Sequence, residues 1–324
     1  MHHSRRQFHI FDLEVAARKQ GATVPTMSEI VPILQRMKDN GRTYSIRDDS
    51  GTMLIGDLEI NEKQKFITLL IRLSDKSAPN SVYSDPNLGQ FNEHVKSGNV
   101  GSDFGCHVMI STAPEKGLPN IYTCAIEKIS GLSFDLIRRL LSKFLHYEFD
   151  DDPQFFSYPN PAGGLDRNRQ PRRERCCPHI ELRGRASDSM ISDINAGQIS
   201  GISLIRGEPV TPIAGAPYLK KTESELKLAI NHNNLPKDIW ASLSKAFKKN
   251  SGTYNKAQIK YRTPQSNRTV TVQFSTSTAT PLTDMYVLSF EITKIPPSLA
   301  QSAKKIVTHL MNAAVPKFLA NRKI

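Results

Sequence analysis

Apolar side chains recur along this chain with two different periods, and the switches between them mark out its elements. Loose alternation at Phe8, Ile10 and Leu13 predicts an opening strand within residues 7–16. Thr26-Met27-Ser28-Glu29 has the form of a capping box. Ile30, Ile33, Leu34 and Met37 follow at helical spacing, and Asn40-Gly41 closes the helix. Strand-like runs at 42–47, 52–60 and 65–73 come next, the first two joined by the turn Asp48-Asp49-Ser50-Gly51. The polar stretch 74–102 leaves room for a short helix around Leu88–Val95. Two further strands, 104–111 and 120–129, flank a Pro/Gly turn. Ser133 then caps an amphipathic helix whose apolar stripe is Phe134, Ile137, Leu140, Leu141, Phe144 and Leu145.

Residues 1–147 therefore predict one α+β domain, a mainly antiparallel sheet with helices packed on one face. Residues 148–175 predict a Pro/Gly/Arg-rich linker. Asp150-Asp151-Asp152-Pro153 stops the helix, and Arg167, Arg169, Arg172, Arg173 and Arg175 follow in a segment read as solvated. Residues 176–324 predict a second α+β domain, again a mainly antiparallel sheet with packed helices. Its strands fall at 178–186, 199–205, 218–230, 255–263, 268–275 and 286–293, and its helices at 187–196, 235–249 and 298–313.

Composition narrows the class. A chain of 324 residues with 38% hydrophobic content suits two folded domains. No apolar run reaches the roughly 18–20 residues of a membrane-spanning helix. Met1-His2-His3-Ser4-Arg5-Arg6 does not lead into the apolar segment of a secretory signal. Four cysteines, two of them adjacent, make a poor disulfide framework. A soluble, cytoplasmic protein with free thiols is expected.

Charge changes the picture more. The net charge is +12, and residues 201–324 hold 18 basic against 6 acidic side chains, whereas 1–150 and 151–200 are each balanced. An asymmetry of this kind points to a polyanionic partner for the C-terminal part. Plotted at 100° per residue, the segment Leu235–Lys249 puts Ile239, Trp240, Leu243, Ala246 and Phe247 in one wedge. Lys237, Lys245, Lys248 and Lys249 fall on the other side. Lys256, Lys260 and Arg262 share one strand face by their even spacing, Arg268 follows, and Lys220, Lys221 and Lys227 precede the helix. These eleven residues predict non-specific contact with duplex phosphates, because no helix-turn-helix or zinc-finger spacing is present to read bases.

Catalytic signatures are sparse. Cys176-Cys177-Pro178-His179 lacks a second ligand pair at finger spacing, and His179-Ile180-Glu181 lacks the P-C-x-x-C half of a zinc deaminase. Glu225-Leu226-Lys227 matches the E-x-K tail of metal-dependent nucleases, which leaves a nuclease using Glu225 and Lys227 as the alternative function. His107, beside Cys106 in an apolar run, reads as a core residue. No phosphate-binding glycine loop and no G-x-S-x-G is present. No cofactor, no metal and no catalytic residue is expected.

The layout as a whole resembles the RexA-like phage-exclusion proteins, and more distantly the KwaB-like component of Kiwa antiphage defence. The likeness is carried by His179 with Gly184-Arg185, then Ile199-Ser200-Gly201-Ile202-Ser203-Leu204-Ile205-Arg206-Gly207, the run Glu225–Ile230, and the lysine-bearing helix. The chain departs from that family in a longer N-terminus and a longer Arg-rich connector. The resemblance implies a dimeric, largely sequence-independent double-stranded DNA-binding protein acting in phage exclusion, an abortive-infection form of antiviral defence. It also implies dimerisation through the second domain and a membrane-protein partner encoded nearby.

Overall fold

A computed structural model of the chain describes residues 4–19, 21–165, 167–196, 198–213, 216–262, 269–282, 286–295 and 299–324, with the backbone alone described at 209–213, 216, 217 and 221. The elements run β1 (Arg5–Ala17), α1 (Met27–Asp39), β2 (Thr43–Ile46), β3 (Gly51–Asn61), β4 (Phe66–Asp75), β5 (Ser81–Asp85), β6 (Gln90–His94), β7 (Ser102–Ser111), β8 (Ile121–Glu127) and α2 (Phe134–Asp151). They continue with β9 (Ser157–Pro159), β10 (Arg173–Arg175), β11 (Pro178–Gly184), α3 (Asp188–Asn195), β12 (Ile199–Ile213) and β13 (Ala216–Leu228). Last come α4 (Ile239–Lys249), β14 (Lys256–Arg262), β15 (Thr269–Ser275), β16 (Ser289–Thr293) and α5 (Thr308–Ala320). The class is α+β, in two units. Unit 1 comprises residues 1–182 together with 290–324, and unit 2 comprises 183–289.

Unit 1 is organised by an eight-stranded sheet in the order β11-β1-β8-β7-β4-β3-β2, with β16 also pairing with β1. Strand β4 explains its layering. Its sequence FITLLIRLSD is almost continuously buried, the pattern of a strand covered on both faces. Ile67 lies opposite Ile110 of β7, and Ile110 packs with Met27, Ile30 and Leu34 of α1 and Leu141 and Leu145 of α2. The alternate residue Phe66 points the other way and meets Phe318 of α5 edge to face, ring centroids 5.7 Å apart. Helices therefore cover both faces rather than the one face expected, and the second face is closed by the last stretch of the chain.

That stretch is held by polar contacts as well as by α5. Gly105 N–H donates to Gln301 O (3.2 Å), Ser302 Oγ to Asp103 (2.9 Å), Ile306 N–H to Asp57 (3.0 Å) and Val307 N–H to His107 Nε2 (3.1 Å). Gly105 is required at this approach: a Cβ there would lie 2.7 Å from Ser302 Oγ and 3.0 Å from its Cα. Beneath runs a buried ion network. Arg6 Nε sits 2.7 Å from Glu127 Oε1, with both side chains 2% exposed. His107 Nδ1 lies 2.7 Å from Glu127 Oε2. Because His107 Nε2 accepts from Val307, its proton belongs on Nδ1, facing Glu127. His107 is buried as a core residue would be, with partners that its apolar neighbourhood did not disclose.

Several expectations shift. Residues 148–175 form part of unit 1 instead of a linker: β9 and β10 pair, and Phe156 and Tyr158 are buried. The unit boundary falls at 182/183. The tail 290–324, expected in the second domain, belongs to unit 1 because its contacts are those just described. Residues 88–95 contribute to the β5–β6 hairpin, not a helix. The Asp85 carboxylate accepts from the N–H groups of Asn87 (2.9 Å) and Leu88 (3.3 Å). Gly89 takes φ +60° to close the turn. The last helix begins at Thr308 rather than at residue 298, which lies outside the described residues; just before it Ile306 and Val307 spend their N–H groups on Asp57 and His107 of the sheet.

Unit 2 is a four-stranded antiparallel sheet, β13-β12-β14-β15. Helices α3 and α4 pack on one of its faces. Met190, Ile194, Ile239 and Phe247 form a core there with Ala257, Ile259, Tyr261, Val272 and Phe274. Residues of opposite parity on β14 and β15 make the other, open face.

Candidate nucleic-acid interface

The basic residues singled out by sequence divide between two surfaces of unit 2. Helix α4 starts at Asp238, whose carboxylate accepts the Ala241 N–H at 2.9 Å, a side-chain cap that fixes the first turn. Ile239 and Phe247 are buried, and the Trp240 ring packs tilted against Phe274, centroids 5.1 Å apart. Lys245, Lys248 and Lys249 are exposed on the solvent side. The helix has no acidic residue, and among the described residues no carboxylate lies within ion-pair reach of these three lysines. Lys237 precedes the cap, so it is exposed beside the helix instead of on it. Ala246, expected in the apolar wedge, is exposed.

Lys256, Lys260 and Arg262 occupy the open face of the sheet, the side away from α4. Register places Lys227 with them, since Lys227 and Gln258 both lie opposite Ser203 of β12. The remainder of this face on β14 and β15 is Gln258, Thr269, Thr271, Gln273 and Ser275. It carries no aromatic ring there, so the base-stacking platform that RNA-binding sheets use is missing from these two strands. Glu223 and Glu225 share the face, and Lys256 is paired with Glu223 at 2.8 Å. Lys220 is exposed on β13. Lys221 is described in backbone only, opposite Thr211, and Arg268 lies outside the described residues.

Charge follows the units differently from the sequence halves. Unit 2 holds 14 basic and 7 acidic residues, while the excess of five positive charges in residues 290–324 belongs to unit 1. At Glu225 and Lys227, the pair of the nuclease alternative, the neighbouring carboxylate Glu223 is occupied by Lys256. Among the described residues no group of three or more His, Cys, Asp or Glu side chains is placed to hold a metal ion. All four cysteines are free thiols. Among the described residues no helix is long and apolar enough to cross a membrane. The chain matches no family model, no curated protein and no solved structure.

Proposed function

We propose that the chain is a non-catalytic, largely sequence-independent double-stranded DNA-binding protein that grips the phosphate backbone through unit 2. The observation that carries this reading is the row Lys245, Lys248 and Lys249, exposed on α4 opposite its buried side and free of acidic neighbours on the helix. Lysines of this kind neutralise phosphates and release condensed counterions. That gives affinity without sequence information. Lys227, Lys260 and Arg262 on the open sheet face offer a second, flatter set of cations. A role in phage exclusion, a cytoplasmic setting, a homodimer and a membrane-protein partner belong to the same reading and rest on the resemblance to the RexA-like proteins.

A gel-shift titration against two unrelated duplexes tests it. Equal affinities are expected for the two. Three or four neutralised phosphates correspond to a loss of roughly a hundredfold between about 50 and 200 mM salt. Full affinity in a Lys245→Glu/Lys248→Glu/Lys249→Glu protein would remove α4 from the contact. Supercoiled plasmid incubated with Mg²⁺ or Mn²⁺ is expected to stay intact. Nicking that disappears in Glu225→Gln would replace binding with cleavage.

A further inference from the structure

Helix α2 wears two stripes. Ile137, Leu140, Leu141, Phe144 and Leu145 are buried against the sheet of unit 1. Arg138, Arg139, Ser142, Lys143 and His146 line up beside them at spacings of four. Strand β11 is stapled across this polar stripe: Ile180 N–H donates to Ser142 Oγ at 2.9 Å. Arg175, Cys177 and His179 are thereby brought opposite α2, with Arg18 and Lys19 arriving from the end of β1 and Tyr44 from β2. Together they enclose a cavity of about 530 Å³, within the size range of small-ligand pockets.

Six Arg and Lys side chains line this cavity and no Asp or Glu does. Asp135, outside the lining, takes up Arg138 (2.8 Å) and Arg139 (2.7 Å), and Glu174 lies 3.6 Å from Lys19. Arg18, Lys143 and Arg175 have no carboxylate within ion-pair reach among the described residues. The Nδ1 atom of His179 is buried without a hydrogen-bond partner. Burial pushes the Cys177 thiol up to about 11, with Cys176 and Asp150 adding to the rise and Arg18 and Lys143 opposing it.

We propose that this pocket binds a small ligand bearing a chain of phosphates. Arginine forks and lysine ammonium groups converging from several segments suit several phosphate oxygens at once. The concave shape suits a compact polyanion better than the convex backbone of a duplex. Tyr44 supplies a ring on the wall for a nucleoside base, so the ligand source is either a nucleotide or an inorganic polyphosphate.

Calorimetric titration of the full chain with ATP and, separately, with inorganic tripolyphosphate distinguishes the sources. Binding of either supports the pocket, and the tighter of the two names the source. Absence of binding by both at millimolar concentration overturns it. Arg139→Glu/Lys143→Glu is expected to weaken binding by about a hundredfold, since each charge-assisted hydrogen bond to phosphate is worth roughly tenfold or more. Lys143→Ala, a milder change on the rim of α2, should weaken binding about tenfold with an unchanged circular dichroism spectrum. Unchanged affinity in both variants would place the ligand elsewhere and overturn the assignment. Cys177 is the only cysteine not fully buried, so its alkylation gives an independent readout. Bound ATP or tripolyphosphate should slow that reaction several-fold. Protection by duplex DNA but by neither small polyanion would make the cavity part of the DNA track and overturn the proposal.

Discussion

The two cationic regions of this molecule are built in opposite ways. On α4 of unit 2 the positive charge is local: three lysines within five residues, no acidic neighbour on the helix, and a convex solvent face. In unit 1 the cations are assembled from three separate stretches into a hollow, and half of them are tethered to carboxylates just outside. A convex lysine row can slide along a backbone of any sequence, because it holds nothing in fixed geometry. A hollow with arginines anchored by Asp135 holds its donors in place, as recognition of a compact ligand requires. Similar charge thus supports two different kinds of recognition, and shape decides between them.

The comparison breaks most readily at Glu127. Glu127→Ala takes from buried Arg6 the carboxylate that balances its charge, although the Arg5 and Ala300 carbonyls still accept from its guanidinium; thermal unfolding of unit 1 should report a loss of about 3–5 kcal/mol. DNA affinity of the folded fraction should not change. A parallel fall in DNA binding would show that the two regions cannot be separated.

Next in size is the contest within unit 2. Reversing Lys245, Lys248 and Lys249 together should cost DNA affinity about a hundredfold or more and flatten the slope of log affinity against log salt by about 3. Lys260→Glu/Arg262→Glu should cost about tenfold. The reverse ranking, read from the same salt titrations, would move the contact from α4 to the open sheet face.

Asp238→Ala removes the α4 cap and should lower the stability of unit 2 by about 1 kcal/mol in denaturant unfolding. DNA affinity would fall only as far as the helix frays. The smallest effect is expected from Glu223→Gln. It releases Lys256 from an exposed pair worth under about 1 kcal/mol and should raise DNA affinity at most a few-fold.

Much of the secondary structure was legible because its causes are local. The Thr26–Glu29 capping box, the stripe on α2 and the alternation on β14 all name their elements. The run Phe66–Leu73 names a strand but not that both its faces are buried, because what covers the second face lies some 240 residues further on. That distance is why the sequence places the tail with the second domain while its contacts are with unit 1: nothing near Leu310 or Phe318 states that Phe66 is its neighbour. The lysine row of α4 could be read from sequence for the same reason that the capping box could. The hollow in unit 1 could not. Residues 1–150 and 151–200 each sum to zero charge, and only folding sorts Arg18, Lys143 and Arg175 to one place and Asp135 and Glu174 to its rim. The spacing of Arg138, Arg139, Ser142, Lys143 and His146 on α2 was the available signal.

Both strands that frame unit 2, β11 before it and β16 after it, pair with β1, and just inside them Ala186 bridges to Val287. Unit 2 is thus inserted in the chain of unit 1, between two strands that both pair with β1. During synthesis the ribosome must finish all of it before β16 and α5 emerge. The apolar underside of β4, with Phe66 and Leu70, waits uncovered until then. A premature stop between residue 289 and α5 would spare the inserted module and strand the rest of the nascent chain half-made, an invitation to chaperones and proteases.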